Sequence, residues 1–148
     1  MIDKKILQVV QSNGRVTNQE LSEKIGLSPS PCLRRLKHLE GNGTISNYVA
    51  LVDPHALGLA VTAFVRVRLD QQDDRHLAIF EAAVADFPEV MECYLMTGDA
   101  DYQLRILVAS LNAFEDFLRS KLTKIEGVAQ VTTSFALRPV VYKTELPI

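Results

Sequence analysis

The spacing of apolar residues changes along this 148-residue chain, and that change constrains its fold more than any other feature. Over residues 3–40 apolar residues recur every three or four positions, as in amphipathic helices. From Ala63 to Leu69 they alternate with Thr62, Phe64 and two arginines, as in a strand with two different faces. The pattern therefore predicts a helical head followed by a body that contains a sheet.

The body is predicted to hold four strands and two helices in the order β-α-β-β-α-β. This order is that of the ferredoxin-like split βαβ fold, in which four antiparallel strands carry both helices on one face. The predicted fold class is therefore α+β. After the first strand, the predicted helices span residues 76–87 and 110–127, and the predicted strands span residues 90–96, 102–108 and 128–137.

Residues 21–40, LSEKIGLSPSPCLRRLKHLE, contain the main part of two helices that meet at a tight turn. Thr17 and Glu20 form a capping box that starts the first of these helices, and Gly26 ends it. Ser28 is the predicted N-cap of the second, because the two prolines that follow fall in its first turn, where no backbone N–H is needed. The pair has the organisation of a helix-turn-helix.

Two further elements are predicted around this pair. A first helix that runs from an N-cap at Asp3 to Asn13 closes a three-helix core. Residues 45–52 are predicted to form a small wing or linking strand, in which Tyr48 packs against the head. The predicted domains are a winged helix-turn-helix over residues 1–48, a linking strand and turn over 49–60, and a ferredoxin-like domain over 61–148, for which the family resemblance described below implies effector binding and oligomerisation.

The second helix of the pair has an apolar back and a basic front. Its inward stripe is predicted to contain Cys32, Leu33, Leu36 and Leu39, and Arg35, at the edge of this stripe, is predicted to form an ion pair. A helix of this kind suits the major groove, where cations meet phosphates and short side chains let the backbone approach. A solvated basic surface is the alternative. The residues predicted to contact DNA are Ser28, Ser30, Pro31, Arg34, Lys37 and His38.

Charge is divided unequally between the head and the body. Residues 1–50 hold seven Lys and Arg against four Asp and Glu, whereas residues 51–148 hold nine against fourteen. A basic head on an acidic body is typical of a nucleic-acid-binding module attached to a second domain. The positive charge of one head is modest, so several copies of the chain are needed for enough phosphate contacts.

No run approaches the ~20 apolar residues of a membrane span, and no signal peptide is present, so a cytoplasmic location is predicted. No Cys/His cluster indicates a metal site.

Three motifs follow one another in a fixed order along the chain. They are Asp3-x-x-Ile6-Leu7, Leu21-Ser22-x-x-Ile25-Gly26-Leu27-Ser28-x-x-x-Cys32-x-x-Arg35-Leu36-x-x-Leu39-Glu40, and Gly98-Asp99-x-Asp101-Tyr102. At these separations they resemble the Lrp/AsnC (feast/famine) family of bacterial and archaeal transcription regulators. The resemblance implies a sequence-specific DNA-binding regulator that is not an enzyme. It also implies a free amino acid as effector and no other cofactor.

The glycine turn near Gly98 carries two carboxylates, Asp99 and Asp101. From its residues alone, such a loop can bind a cation, serve acid/base chemistry, anchor an amino group or be an ordinary turn. The resemblance implies an amino-acid site at an interface between dimers, where backbone N–H groups hold the α-carboxylate and an aspartate pairs with the ammonium. Apolar lining favours leucine or methionine. The predicted effector-binding residues are Met96, Thr97, Gly98, Asp99, Asp101, Tyr102 and Leu104, joined by Val131 and Thr133 of a neighbouring chain.

The sheet face that points away from the helices is expected to be apolar and to mark an association surface. A homodimer through this face is predicted, which would present two recognition helices to a palindromic operator on double-stranded DNA. The resemblance implies further assembly to tetramers or octamers. A sensor that acts only through protein partners is one alternative, and a small dimeric enzyme is a less favoured one, with Asp99, Asp101 and His76 as its only candidates for chemistry. The expected apolar face includes several of Phe64, Tyr94, Met96, Leu104 and Ile106, or their neighbours.

Overall fold

The computed structural model describes residues 1–148 as two compact units. Met1–Val52 together with Val140–Ile148 form the first unit, and Asp53–Pro139 forms the second. None of the α-helices combines the length and the apolar composition that a membrane crossing requires.

Val140–Ile148 belong to the first compact unit, whereas the sequence predicted these residues to be part of the second domain. This segment has no helix or strand, and side chains of the first helix hold it. Gln11 accepts a hydrogen bond from the Leu146 N–H at 2.6 Å, and the Gln8 side-chain amide donates to the carbonyl of Ile148 at 2.8 Å. Hydrophobic periodicity carries no information about such polar tethers between distant parts of a chain.

Three helices build the first unit: α1 (Ile2–Ser12), α2 (Asn18–Ile25) and α3 (Pro29–Gly41). Their core consists of buried Ile6, Val10, Leu21, Ile25, Cys32 and Leu39. The predicted N-cap at Asp3 is wrong, because Met1 precedes the first helical residue and Asp3 lies in the first turn. Its carboxylate is bound there by an arginine of α3.

The predicted strand over residues 45–52 is absent, because this segment has no sheet partner within the chain. A single extended segment leaves its N–H and C=O groups unpaired, so β-branched residues alone do not make a strand. Tyr48 nevertheless packs on the head as expected, with its ring over Gly14 and its hydroxyl donating to Glu40 at 2.9 Å. Burial and the Glu40 carboxylate raise the pKa of Tyr48 to about 12.

The second unit has the predicted βαββαβ order and a ferredoxin-like fold. Its sheet order is β2-β3-β1-β4, and each neighbouring pair is antiparallel. The side chains of Asp73 and Ser110 cap its two helices by accepting backbone N–H groups three residues on. The elements are β1 (Val61–Leu69), α4 (Asp74–Ala85), β2 (Val90–Leu95), β3 (Tyr102–Val108), α5 (Leu111–Ser120) and β4 (Val128–Phe135).

One face of the sheet carries the core of this unit. Alternate residues of β1 and β3 point to the same side and pack against Phe80 of α4 and Phe114 of α5. Both helices therefore cover one face. The fully buried strand residues on this side are Ala63, Val65, Val67, Leu69, Tyr102, Leu104 and Ile106.

The opposite face is mixed rather than apolar, which corrects the expectation from the sequence. Leu104 and Ile106 are not on it, because period-2 alternation turns them into the core. The strand register pairs Phe64 with Arg105, and Arg105 donates to Glu92 at 2.7 Å. Phe64 and Tyr94 remain its exposed aromatic residues, at 39% and 57% exposure.

Candidate nucleic-acid interface and ligand-binding loop

The start of α2 and its junction with α3 are held by side-chain hydrogen bonds to the backbone. Glu20 N–H donates to the Thr17 hydroxyl at 3.2 Å, and Thr17 N–H donates to Glu20 at 2.9 Å, which completes the predicted capping box. The Thr17 N–H and the Thr17 hydroxyl both donate to the Glu20 carboxylate, which lowers the pKa of Glu20. Gly26 ends α2 in the left-handed conformation, with φ of 72°. The Asn18 amide then donates to the carbonyl of Pro29 at 2.9 Å, so the start of α2 is tied directly to the start of α3.

Helix α3 places its polar residues on the outside. Cys32 and Leu39 are buried and Leu36 is half-buried, but Leu33 is 39% exposed and does not belong to the inward stripe. Of the residues predicted to contact DNA, only Pro31 is half-buried, because it packs at the first turn of the helix. The exposed ones are Ser28, Ser30, Arg34, Lys37 and His38.

The two adjacent arginines of α3 differ in their electrostatic environment. Arg35 donates to Asp3 at 2.9 Å, so a structural ion pair already neutralises it, as expected from the sequence. Arg34 belongs to no ion pair, and together with Asp3, Arg35 and His38 it lines a surface cleft of about 320 Å³. Its free guanidinium can therefore donate to a phosphate or a base edge.

The loop between β2 and β3 exposes a carboxylate beside a glycine turn. Thr97, Gly98 and Asp99 are exposed, and Gly98 has φ of 103°, which favours glycine. Met96 N–H donates to the carbonyl of Asp101 at 2.8 Å and closes the loop. The Asp99 side chain has no hydrogen-bond partner within the chain, so it is free to bind an ammonium group.

Asp101 has a structural role that the sequence does not indicate. Its carboxylate accepts the Leu69 N–H at 2.7 Å, and its own N–H donates to the carbonyl of Val67 at 2.9 Å. Both bonds attach the loop to the end of β1. The two aspartates of the motif are therefore not equivalent, and Asp99 is the one available to a ligand.

The remaining predicted effector residues lie in or beside the sheet. Tyr102 and Leu104 are buried in the core, at 1% and 0% exposure, and therefore cannot form the outer wall of a pocket at the loop. Val131 and Thr133 are half-buried on β4, in register with Val67 and Val65. Met96 is 43% exposed and adjoins the loop.

His76, the only histidine considered for chemistry, lies in the first turn of α4, next to the capping residue Asp73. Its ring Nδ1 lies 2.7 Å from the Asp73 carboxylate, and its backbone N–H donates to the same group. These hydrogen bonds from His76 lower the pKa of Asp73. No three His, Cys, Asp or Glu residues are arranged to hold a metal ion.

Asn18 and Glu81 have structural roles that no sequence motif indicates. Asn18 joins α2 to α3, and Glu81 accepts a hydrogen bond from the Tyr102 hydroxyl at 2.6 Å. Neither residue stands in a motif, since a polar residue on an exposed turn of a helix has no distinguishing pattern. Only the packing of two elements reveals their roles.

The first unit contains a helix-turn-helix with a basic outer face. The second is a four-stranded ferredoxin-like unit with an exposed glycine loop. Together they define a two-domain DNA-binding regulator. Residues 2–46 match the family model described as winged helix-turn-helix DNA-binding, and residues 62–146 match the Lrp/AsnC ligand binding domain. The chain belongs to the Lrp/AsnC family of transcription regulators. It is accordingly a regulator and not an enzyme.

Its relatives are similar over nearly their whole length. The Bkd operon transcriptional regulator of Pseudomonas aeruginosa is 43% identical over 99% of this chain and 96% of that protein. The leucine-responsive regulatory protein of Rhizobium meliloti is 42% identical over 94% of this chain and 89% of that protein. A transcriptional regulator from Neisseria meningitidis, solved as a complex with L-Met, is 44% identical, with a TM-score of 0.94 over 99% of this chain and 94% of that chain.

Proposed function

We propose that this regulator binds a specific double-stranded DNA site through α3, and that a free apolar amino acid changes its DNA affinity or its assembly. The observation that carries the proposal is the close similarity to the Neisseria regulator solved with L-Met. The unpaired Arg34 on α3 and the unpaired Asp99 on the β2–β3 loop supply the chemistry for the two ligands. Leucine or methionine is the proposed effector class.

The proposed DNA contacts come from the exposed side of α3. Ser28 and Ser30 let the helix approach closely, while Arg34 and Lys37 supply cations to phosphates and bases and His38 supplies a ring N–H donor. Pro31 contributes through its place in the first turn. Because one head carries few cations, the regulator needs at least two heads for firm binding, and a two-fold pair reads a palindromic operator.

The proposed effector site surrounds Asp99. Its carboxylate pairs with the α-ammonium, and backbone N–H groups near Gly98 hold the α-carboxylate. Met96 provides apolar contact for the effector side chain, and β4 of a neighbouring chain, near Val131 and Thr133, completes the pocket. An effector that bridges two dimers in this way favours one assembly over another, which couples ligand binding to DNA binding.

The proposed pairing of chains uses the mixed face of the sheet, with tetramers or octamers formed from dimers. Phe64 lies on β1, the central strand next to the edge strand β4, and is 39% exposed on this face. Phe64→Glu is expected to convert the dimer to a monomer, since each chain would bring a new charge into the interface. Sedimentation equilibrium of the purified protein measures this as loss of the dimer mass and its multiples in favour of the monomer mass.

Leu111→Glu is the matched control for that experiment. Leu111 is an exposed apolar residue, at 61% exposure, at the start of α5 on the helix-covered side of the sheet. The control is expected to keep the mass of the unaltered protein. An unchanged mass for Phe64→Glu would exclude the mixed face as the dimer interface.

Fluorescence anisotropy of a labelled duplex from upstream of the protein's own gene tests the function as a whole. Binding is expected to be stronger than to random DNA, to weaken with salt, and to shift on addition of leucine or methionine. Binding without a shift would remove the proposed effector. No binding under either condition would favour a sensor that acts through protein partners.

A further inference from the structure

A cleft of about 370 Å³ lies between α4 and the edge strand β2 in the second unit. Its apolar wall includes Val84 of α4 and Val90, Met91 and Leu95 of β2. None of residues 96–101 lines it, so the cleft is separate from the proposed effector loop. Its volume falls within the range of about 300–1,000 Å³ that is usual for small-molecule sites.

The carboxylate of Glu81 is held in a defined position at this cleft. Tyr102, which is 1% exposed and stacks on Phe80 at 4.4 Å between ring centroids, donates its hydroxyl to one Glu81 oxygen at 2.6 Å. Burial and the hydrogen bond to Glu81 raise the pKa of Tyr102, so the phenol stays a donor. The second Glu81 oxygen has no partner within the chain. A buried, stacked ring therefore orients a carboxylate with a free acceptor.

The charge of the cleft is negative and uncompensated. Glu81 and Glu92 line it, and no Lys, Arg or His does. Arg105 neutralises Glu92 at 2.7 Å, whereas Glu81 belongs to no ion pair. Burial and the charge of Glu81 raise the pKa of the neighbouring Cys93 thiol to about 11, so the thiol adds no negative charge at neutral pH. The cleft thus combines one fixed anion with an apolar wall.

We propose that the α4–β2 cleft binds a primary aliphatic amine, whose ammonium group donates to the free oxygen of Glu81 and whose alkyl chain contacts Val84, Val90 and Leu95. A charge-assisted hydrogen bond to a pre-oriented carboxylate supplies the specificity, and burial of the alkyl chain adds affinity. A ligand with its own carboxylate is disfavoured, because no cation lines the cleft to receive it and the charge of Glu81 repels it. The site is thus selective for amines over free amino acids.

The test uses 3-methylbutan-1-amine as the probe, with leucine and 3-methylbutanoate as analogues that carry a carboxylate. The full-length protein, labelled with ¹⁵N, is titrated in phosphate buffer, since amine buffers would compete. The amine is expected to shift the backbone amide signals of Val84, Val90 and Cys93, which line the cleft and are not adjacent to the effector loop in sequence. Leucine and 3-methylbutanoate are expected to leave these three signals unshifted.

Glu81→Gln removes the charge but keeps an amide oxygen for the Tyr102 hydroxyl, so the fold is retained. It is expected to weaken amine binding by about tenfold or more, which is the usual effect of losing a hydrogen bond to a charged group. Glu115→Gln, on the exposed side of α5, is the matched control and is expected to bind the amine normally. Equal binding by the Glu81 variant, or shifts at these amides with leucine or 3-methylbutanoate equal to those with the amine, would overturn the proposal.

The proposed effector function is read from different signals in the same titration. Leucine at the loop is expected to shift the amides of Thr97, Gly98 and Asp99, which do not line the cleft. Absence of amine-induced shifts at the cleft would therefore leave the test of the effector loop intact. Absence of leucine-induced shifts at the loop would likewise leave the test of the amine site intact.

Discussion

Arg34→Ala is expected to lower the affinity for operator DNA by about tenfold or more, since one contact to a base edge or phosphate contributes about 1–3 kcal/mol. The guanidinium of Arg34 is exposed and takes part in no ion pair, so the substitution removes a free cation without disturbing the core. In a dimer the loss occurs twice. The fold is expected to be unchanged by far-UV circular dichroism, and the affinity is measured by fluorescence anisotropy at several salt concentrations.

Arg35→Ala is the matched control for this variant. It removes the same residue type from the next position of α3, but Arg35 already donates to Asp3 at 2.9 Å. Both partners are 45% exposed in their side chains, so the pair contributes little stability. The control is therefore expected to affect DNA affinity much less than Arg34→Ala. Equal losses for the two variants would mean that overall charge, rather than the outer face of α3, determines binding.

Asp99→Ala is expected to raise the amino-acid concentration needed for a half-maximal response by about tenfold or more, because a charge-assisted hydrogen bond to the ammonium is lost. DNA affinity without the effector and dimer mass are expected to stay normal, because the Asp99 side chain is exposed and holds no other part of the chain. The readout is the anisotropy of operator DNA as a function of leucine or methionine concentration. A normal response would exclude Asp99 from the effector site.

Asp101→Ala distinguishes binding from loop structure. This substitution removes the acceptor of the Leu69 N–H, so it is expected to lower the free energy of unfolding by about 1–3 kcal/mol, the usual cost of an unsatisfied buried donor. Asp99→Ala is expected to leave that free energy unchanged. Urea denaturation of both variants measures the difference, and equal destabilisation would contradict the division of roles between the two aspartates.

Local sequence signals were sufficient for the elements whose causes lie within a few residues. The Thr17–Glu20 capping box, the left-handed glycine after α2 and the order of the six elements in the second unit all follow from short-range rules. Period-2 alternation also predicted that β1 has two different faces, and burial along the strand alternates accordingly. These features need no knowledge of the rest of the molecule.

Errors arose where a residue's role depends on a distant partner. The strand expected at residues 45–52 has the right composition, but a strand requires hydrogen bonds to another strand and this chain provides none there. Leu33 has the spacing of a core residue, yet it is exposed because no element covers that side of α3. Tyr102 is the last residue of a ligand-type motif and Leu104 follows it, yet alternation in β3 turns both side chains into the core.

By itself, the sequence determined the two-part organisation, the helix-turn-helix, the βαββαβ order and the family, because periodicity, caps and motif spacing are local properties. Only the tertiary structure decided which polar groups are free and which are already bound. Arg34 and Asp99 remain available, whereas Arg35 and Asp101 are occupied by Asp3 and by the Leu69 N–H. Such pairings join residues that lie 32 positions apart, so they exist only once the chain has folded.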